Sequence, residues 1–423
     1  MQISLHSPAK KILLLSLLLL VVSAYVGFAV AQYLAARLSQ APDLASLQRA
    51  VRLQPGNADY RYQLGRYFFI VQRKPEPAVA AYQAAIALNP HEAHYWLDLA
   101  AAYALLGDSN RQEDALERAL VANPRSPDVA WEAANLGLVR GETDQALREF
   151  RVVLENEPTL AYSALQLCWR ARPDTDALLR DVVPPIPDVY ASFLTLLTAK
   201  KETAAAARVW AQLVWLQLPI QRRYVFDYIR YLVGQRDADQ ARLVWQQAAS
   251  LSGLSAYQPS PENLVINGDF SLDVLNGGFD WLYLKSPDVL LALDPTQSHS
   301  GHRSLSITFE TAKIEDAGIR QLIPVQPNTH YNFSAYFRAE DIEGAGGPRL
   351  AIQDLFTQST YFASEELKDA SFWKQVAGSF TTGPDSKLLV LRVQRVPAGS
   401  PIKGRLWIDS VRLVEGGRDD HAH

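Results

Sequence analysis

Ile12 to Ala31 is twenty residues without a charge. At 1.5 Å per residue, a helix of that length spans about 30 Å, the thickness of a bilayer's hydrocarbon layer. Lys10 and Lys11 precede the run, and Arg37, soon offset by Asp43, is the first basic residue after it. This charge bias holds the N-terminus inside and exports the remainder of the chain. The pattern predicts a cytoplasmic N-terminus at 1–11 and a transmembrane anchor at 12–32. A secretory leader cut after Ala29-Val30-Ala31, a small-x-small triplet, is the competing reading. Under both readings the bulk of the chain is periplasmic or otherwise extracytoplasmic.

Beyond Asp43 the apolar positions recur at helical spacing. Pro55, Pro90, Pro124 and Pro158 are separated by 35, 34 and 34 residues. Five residues before each stands a compact residue, Ala50, Ala85, Ala119 or Val153, as close helix crossing requires. Gly107 and Gly141 sit 17 residues ahead of their prolines, where a helix must end in a tight turn. Tyr82, Leu116 and Phe150 recur on the second helices. The register weakens and then resumes, with residues 143–150 and 238–245 near copies. Residues 159–186 read as irregular, because Pro184, Pro185 and Pro187 break helices. About five complete helical hairpins are therefore expected over 43–253, plus a partial first one continuing out of the membrane helix.

Past Tyr257 the period falls to two. Residues 254–261 read as a linker, 262–415 as an antiparallel β-sandwich of eight or nine strands, and 416–423 as a tail. In the segment from Tyr331, Phe333, Ala335 and Phe337 fall on one face, and Asn332, Ser334, Tyr336 and Arg338 on the other. The fold class is thus multidomain, α then β: a transmembrane helix, an α-solenoid and a C-terminal sandwich.

Composition narrows the function. Of the 423 residues 48% are hydrophobic and 20% charged, which leaves little room for long disordered stretches. The net charge is −4 and no dense Lys/Arg run occurs, so no nucleic-acid partner is expected. The single cysteine, Cys168, rules out an internal disulfide.

Two resemblances are carried by these motifs. The 34-residue period with its prolines, small crossing residues and turn glycines resembles tetratricopeptide repeats over 43–253. That resemblance implies stacked hairpins whose groove takes a protein partner. The order of "NLVINGDFS" at 263–271, "HSGHRSLSI" at 299–307, "IRQLIPVQPNTHYNFSAYFRA" at 319–339 and "LWIDSVRLV" at 406–414 resembles jelly-roll carbohydrate-binding modules of the family 4/9 type, which overlap with galactose-binding-like domains. The likeness covers about 262–415 and implies a polysaccharide ligand laid against exposed aromatics and paired polar groups. Tyr336 and Arg338 are the leading candidates. Gln353, Arg392 and Gln394 would share their face if the strands pair as in the family, with Tyr361 and Phe362 at a loop rim. Trp281, Trp373 and Trp407 occupy positions that pack the fold. Many relatives hold a structural calcium. Gly268, Asp269, Ser271 and Asp409 match its ligand positions, with carbonyls from 298–302, although Ser271 stands where relatives often have Glu.

Catalytic patterns carry no weight. His91 and His94 fall one residue short of the zinc-protease spacing, and the paired carboxylates Glu315-Asp316 and Glu365-Glu366 have no opposed partner. The sequence therefore reads as a non-enzymatic scaffold of the bacterial cell envelope, anchored by one helix. It joins a protein partner to a glycan, in a setting such as surface polysaccharide synthesis or export. The alternative is a pure protein-assembly scaffold whose sandwich contacts another protein.

Overall fold

The computed structural model describes residues 8–41, 43–396 and 399–416. The outermost parts of the expected N-terminal segment and tail, 1–7 and 417–423, lie outside the described residues. The chain divides into two compact units, 1–189 and 190–423.

The first unit opens with α1 (Pro8–Ser39), followed by α2 (Leu44–Leu53). Its next helices come in pairs: α3 (Ala58–Arg66) with α4 (Pro75–Ile86), α5 (Ala93–Leu105) with α6 (Ser109–Ala122), and α7 (Pro127–Arg140) with α8 (Thr143–Asn156). A shorter pair, α9 (Ala161–Ala171) and α10 (Thr175–Asp181), occupies the stretch that reads as irregular from its prolines. Pro184, Pro185 and Pro187 fall after α10 and at the start of α11, so they separate helices rather than interrupt one. The boundary between the units falls within α11 (Pro187–Ala199), and the second unit goes on with α12 (Thr203–Trp215), α13 (Arg222–Gly234) and α14 (Ala238–Leu251). Six pairs thus follow α2 among the described residues, one more than the period shows.

Local chemistry explains the pairing. Asn57, Asp108 and Asp237 cap their helices by accepting backbone N–H groups of the first turn. Gly107 and Gly141 adopt φ of +72° and +79°, the left-handed turn that ends a helix. Ala50, Ala85, Ala119 and Val153 are all fully buried. At Gly65 a Cβ would stand 2.6 Å from the Tyr82 ring, so glycine is what lets α3 and α4 close. Helix α1 is long and apolar enough to cross a membrane, and a signal sequence would have the same character. Near its end Ala35 is buried and α1 packs on α2, so the partial first hairpin does grow out of the apolar helix.

Ten strands come next: β1 (Leu282–Tyr283), β2 (Val289–Asp294), β3 (Ser304–Ala312), β4 (Asp316–Pro324), β5 (His330–Glu343), β6 (Pro348–Asp354), β7 (Thr360–Ala363), β8 (Lys374–Thr381), β9 (Leu388–Arg395) and β10 (Ile402–Glu415). They form two antiparallel sheets of five, in the orders β1-β4-β9-β6-β7 and β2-β3-β10-β5-β8. The alternation read from Tyr331 holds, since Phe333, Ala335 and Phe337 are buried in the core with Leu389, Leu391 and Val393 of β9.

The expected linker is not a loose tether. Trp245 of α14 donates its indole N–H to the Tyr257 carbonyl at 2.9 Å, and the Tyr257 hydroxyl donates to the Asp273 carbonyl at 2.9 Å. The Trp245 ring meets Phe279 edge-on at 5.9 Å. Lys387 pairs with Asp239 at 2.6 Å. The last hairpin and the sandwich therefore pack within one unit, and Trp245 serves that contact.

Candidate functional site

The sheet order splits the predicted glycan residues between two faces. Tyr336 and Arg338 lie on β5, in the β2-β3-β10-β5-β8 sheet. Gln353 on β6 and Arg392 and Gln394 on β9 lie in the other sheet, pointing away from the core. They do not share a face with Tyr336, because β9 inserts between β4 and β6 rather than beside β5.

On the β9 face, Arg392 Nη2 donates to Gln353 Oε1 at 2.7 Å, and Gln353 Nε2 donates to Thr360 Oγ1 at 3.0 Å. Arg392 Nη1 lies 3.5 Å from Asp316 Oδ2. Burial pushes the Asp316 carboxyl up, against the Gly318 N–H and the Arg392 and Arg320 charges. Gln394 stands opposite Asp316 in the register. These groups hold one another across four strands.

Tyr361 and Phe362 lie on the edge strand β7 rather than on a loop rim. Tyr361 stacks on Phe380 with centroids 5.6 Å apart, and its hydroxyl accepts the Gly383 N–H at 2.8 Å. Phe362 meets Phe333 at 5.0 Å. Both rings are engaged in packing.

On the β5 face, Tyr336 is stacked against His299, ring centroids 3.6 Å apart and 13° from parallel. Trp373 meets the same imidazole edge-on at 5.9 Å. His299 arrives there because Asp409 holds its loop. Asp409 Oδ2 accepts the N–H groups of His299 at 2.6 Å and Ser300 at 2.9 Å, while Oδ1 accepts that of Ser410 at 2.6 Å. His299 Nδ1 is 2.8 Å from Ser410 Oγ. Beside these rings lies a cavity of about 620 Å³ lined by Asn263, Ser334, Tyr336, Gln375 and Arg412. A second depression of about 750 Å³ continues along the face, sharing Ser334, Arg412 and Glu262. Arg338 bonds to Gln297 and lies over the Trp407 ring at 5.4 Å. Trp407, buried under Arg338 and Arg405 on this outer face, packs outside the core; Trp281 packs within it.

The predicted calcium ligands are engaged by protein donors. Asp409 is fully buried, and each of its oxygens faces N–H groups. Burial pushes its carboxyl up and the three N–H donors pull it back. The Gly268 carbonyl accepts the Val411 N–H at 2.8 Å. Asp269 Oδ1 accepts both the N–H and the hydroxyl of Ser271, at 3.2 and 2.9 Å. Calcium needs six to eight converging oxygens. Here the loop at 298–302 turns the N–H groups of His299 and Ser300 toward the Asp409 carboxylate. This set does not fit calcium.

Three residues escape sequence reasoning. His299 and Gln375 carry no periodic signal, and Trp373 reads as packing. Only the nearness of "SHSGH" to a strand entry marks the His299 loop.

Residues 262–399 match the model of a family described as carbohydrate binding domain. That carbohydrate-binding match spans less than half of the chain and includes β1 to β9. No curated protein matches the chain. Among solved structures, the MamA protein is 15% identical, with 41% of this chain and 94% of that one covered and a TM-score of 0.31. A xylan-binding domain from Paenibacillus barcinonensis is 17% identical, with 35% and 91% covered and a TM-score of 0.26. Yeast Tom70 is 19% identical, with 52% and 42% covered and a TM-score of 0.28.

Proposed function

We propose that this chain is a non-enzymatic adaptor of a bacterial envelope. Helix α1 anchors it with the N-terminus inside, and the repeats take a protein partner. The sandwich holds a polysaccharide along the β5 face, in a process such as surface polysaccharide synthesis or export. The observation that carries the reading is the trough beside Tyr336, lined largely by the segment matched as carbohydrate binding and completed by Ser410 to Arg412 of β10. Aromatic rings there adjoin the polar side chains of Ser334, Gln375 and Arg412, the combination that apolar sugar faces and hydroxyls require. The two adjoining depressions suit a chain of sugar rings better than a single one.

The test is an array of polysaccharides probed with the full chain in a nonionic detergent that has no sugar head group. Retention that falls about tenfold in a His299→Ala, Tyr336→Ala variant supports the reading. No retention on any glycan, or retention indifferent to that variant, removes it.

A second reading has one observation in its favour. Phe372, beside Trp373, is 84% exposed. A large apolar ring at that place suits contact with another protein. Crosslinking from position 372 to a protein, with a blank glycan array, would establish the pure protein-assembly scaffold instead.

A further inference from the structure

The first helices of three successive repeats, α3, α5 and α7, together line an open groove of about 780 Å³. Tyr62 and Arg66 come from α3, His94 and Asp98 from α5, and Asp128, Trp131 and Glu132 from α7. Asp98 and Glu132 are 34 residues apart and so occupy the same position in adjacent repeats. The groove thus carries a carboxylate at one repeat position twice in succession.

Its charges are not balanced internally. Arg66 lies 3.8 Å from Asp98, and that is a long, half-exposed pair. Asp128 and Glu132 make no ion pair among the described residues. They stand four residues apart on one helix, where like charges repel. Burial and that repulsion both push the Glu132 carboxyl up, and burial pushes up Asp98. Each would be relieved by an incoming cation. The flanking Tyr62 and Trp131 present aromatic rings, whose faces attract ammonium and guanidinium groups.

We infer that this groove receives an extended segment of a partner protein in which lysine or arginine side chains alternate with apolar ones. This deepens the reading of the repeats as protein-binding and rests on it. A segment rich in Asp and Glu is disfavoured, because it would meet two unneutralised carboxylates. The apolar side chains have Leu97 and Leu160 in the same groove to cover.

The experiment uses the full chain in the same nonionic detergent and three fluorescein-labelled short peptides. One repeats Lys-Leu-Ser, one carries Gln for each Lys, and one carries Glu. Anisotropy should show the Lys peptide binding about tenfold more tightly than the Gln peptide, with the Glu peptide weakest. The Asp128→Asn, Glu132→Gln variant should lose that advantage with a thermal midpoint no lower than that of the wild type, since it removes a carboxylate that burial pushes up and a like-charge repulsion. Equal binding of the three peptides, a preference for the Glu peptide, or a Lys advantage that survives in the variant overturns the cationic assignment. Those outcomes leave the groove a protein-binding surface. Failure of all three peptides, together with no protein crosslinked from a photoreactive residue at position 94 in cells, overturns that broader reading as well.

Discussion

Arg392 and Gln353 on the β9 face and Arg412 and Gln375 on the β5 face are similar residues in different circumstances. On the β9 face the guanidinium is held by Gln353 at 2.7 Å and faces Asp316 at 3.5 Å. A sugar hydroxyl would have to displace bonds already made, which cancels much of the gain. On the β5 face backbone bonds to Asp409 seat His299 against the rings of Tyr336 and Trp373, and Ser334, Gln375 and Arg412 line the adjoining space. A polar side chain is worth most to a ligand when its own protein has not already satisfied it. The number of polar residues on a face therefore says less than how they are partnered.

The largest expected effect comes from removing what assembles the β5 face. Asp409→Ala would leave the N–H groups of His299, Ser300 and Ser410 without their acceptor. Unsatisfied buried donors cost about 1–3 kcal/mol each, and the loop can relax toward solvent, so a loss of about 3 kcal/mol is expected in urea unfolding. Glycan retention should fall with it, since His299 loses its seat. Chelator should leave the wild-type thermal midpoint unmoved. A midpoint that drops with chelator and returns with calcium would show that a cation, not N–H groups, closes the loop.

The next effect separates two buried carboxyls. Asp409 is surrounded by N–H donors, whereas Asp280, equally buried, accepts the Leu275 N–H on Oδ2 and has no partner on Oδ1. Burial pushes the Asp280 carboxyl up to about 6. The folded state thus favours its protonated form. Its contribution to stability is complete below the unfolded value of about 3.9 and is lost as pH rises through about 6. Asp280→Asn should therefore stabilise the protein by about 1–2 kcal/mol at pH 8, with the advantage vanishing near pH 4. Urea midpoints at both pH values check this. An advantage that is the same at pH 4 and 8 would show that Asp280 is not protonated by the fold.

Much of this architecture is legible in the residues, and the limits have physical causes. The period of 34 locates Ala50, Ala85, Ala119 and Val153, because helix crossings demand small side chains at a fixed spacing. Alternation locates Phe333, Ala335 and Phe337, because a strand inverts its side chains at each step. Strand order is a different matter. Nothing local places β9 between β4 and β6, so Arg392 could not be separated from Tyr336 by pattern. The His299 loop depends on Asp409, 110 residues further on. The pair α9 and α10 was hidden because the prolines that signal a break belong to the turn after it. Contacts of long sequence separation leave little periodic trace, and sites are built from such contacts.

The smallest expected effect tests the other side of the comparison. Arg392→Gln would remove the ion pair with Asp316 and one bond to Gln353. If the β9 face is closed upon itself, glycan retention should change by less than about twofold, below about 0.5 kcal/mol. The cost should fall on stability instead. Asp316, already pushed up by burial, loses a cation that pulls it down, so it should take up a proton at higher pH than before. A carboxyl signal titrating upward in the variant, with binding intact, is the expected result. Should retention collapse in Arg392→Gln and persist in His299→Ala, Tyr336→Ala, the sugar lies on the β9 face. The bonds among Arg392, Gln353 and Thr360 would then be preorganisation for a ligand rather than a substitute for one.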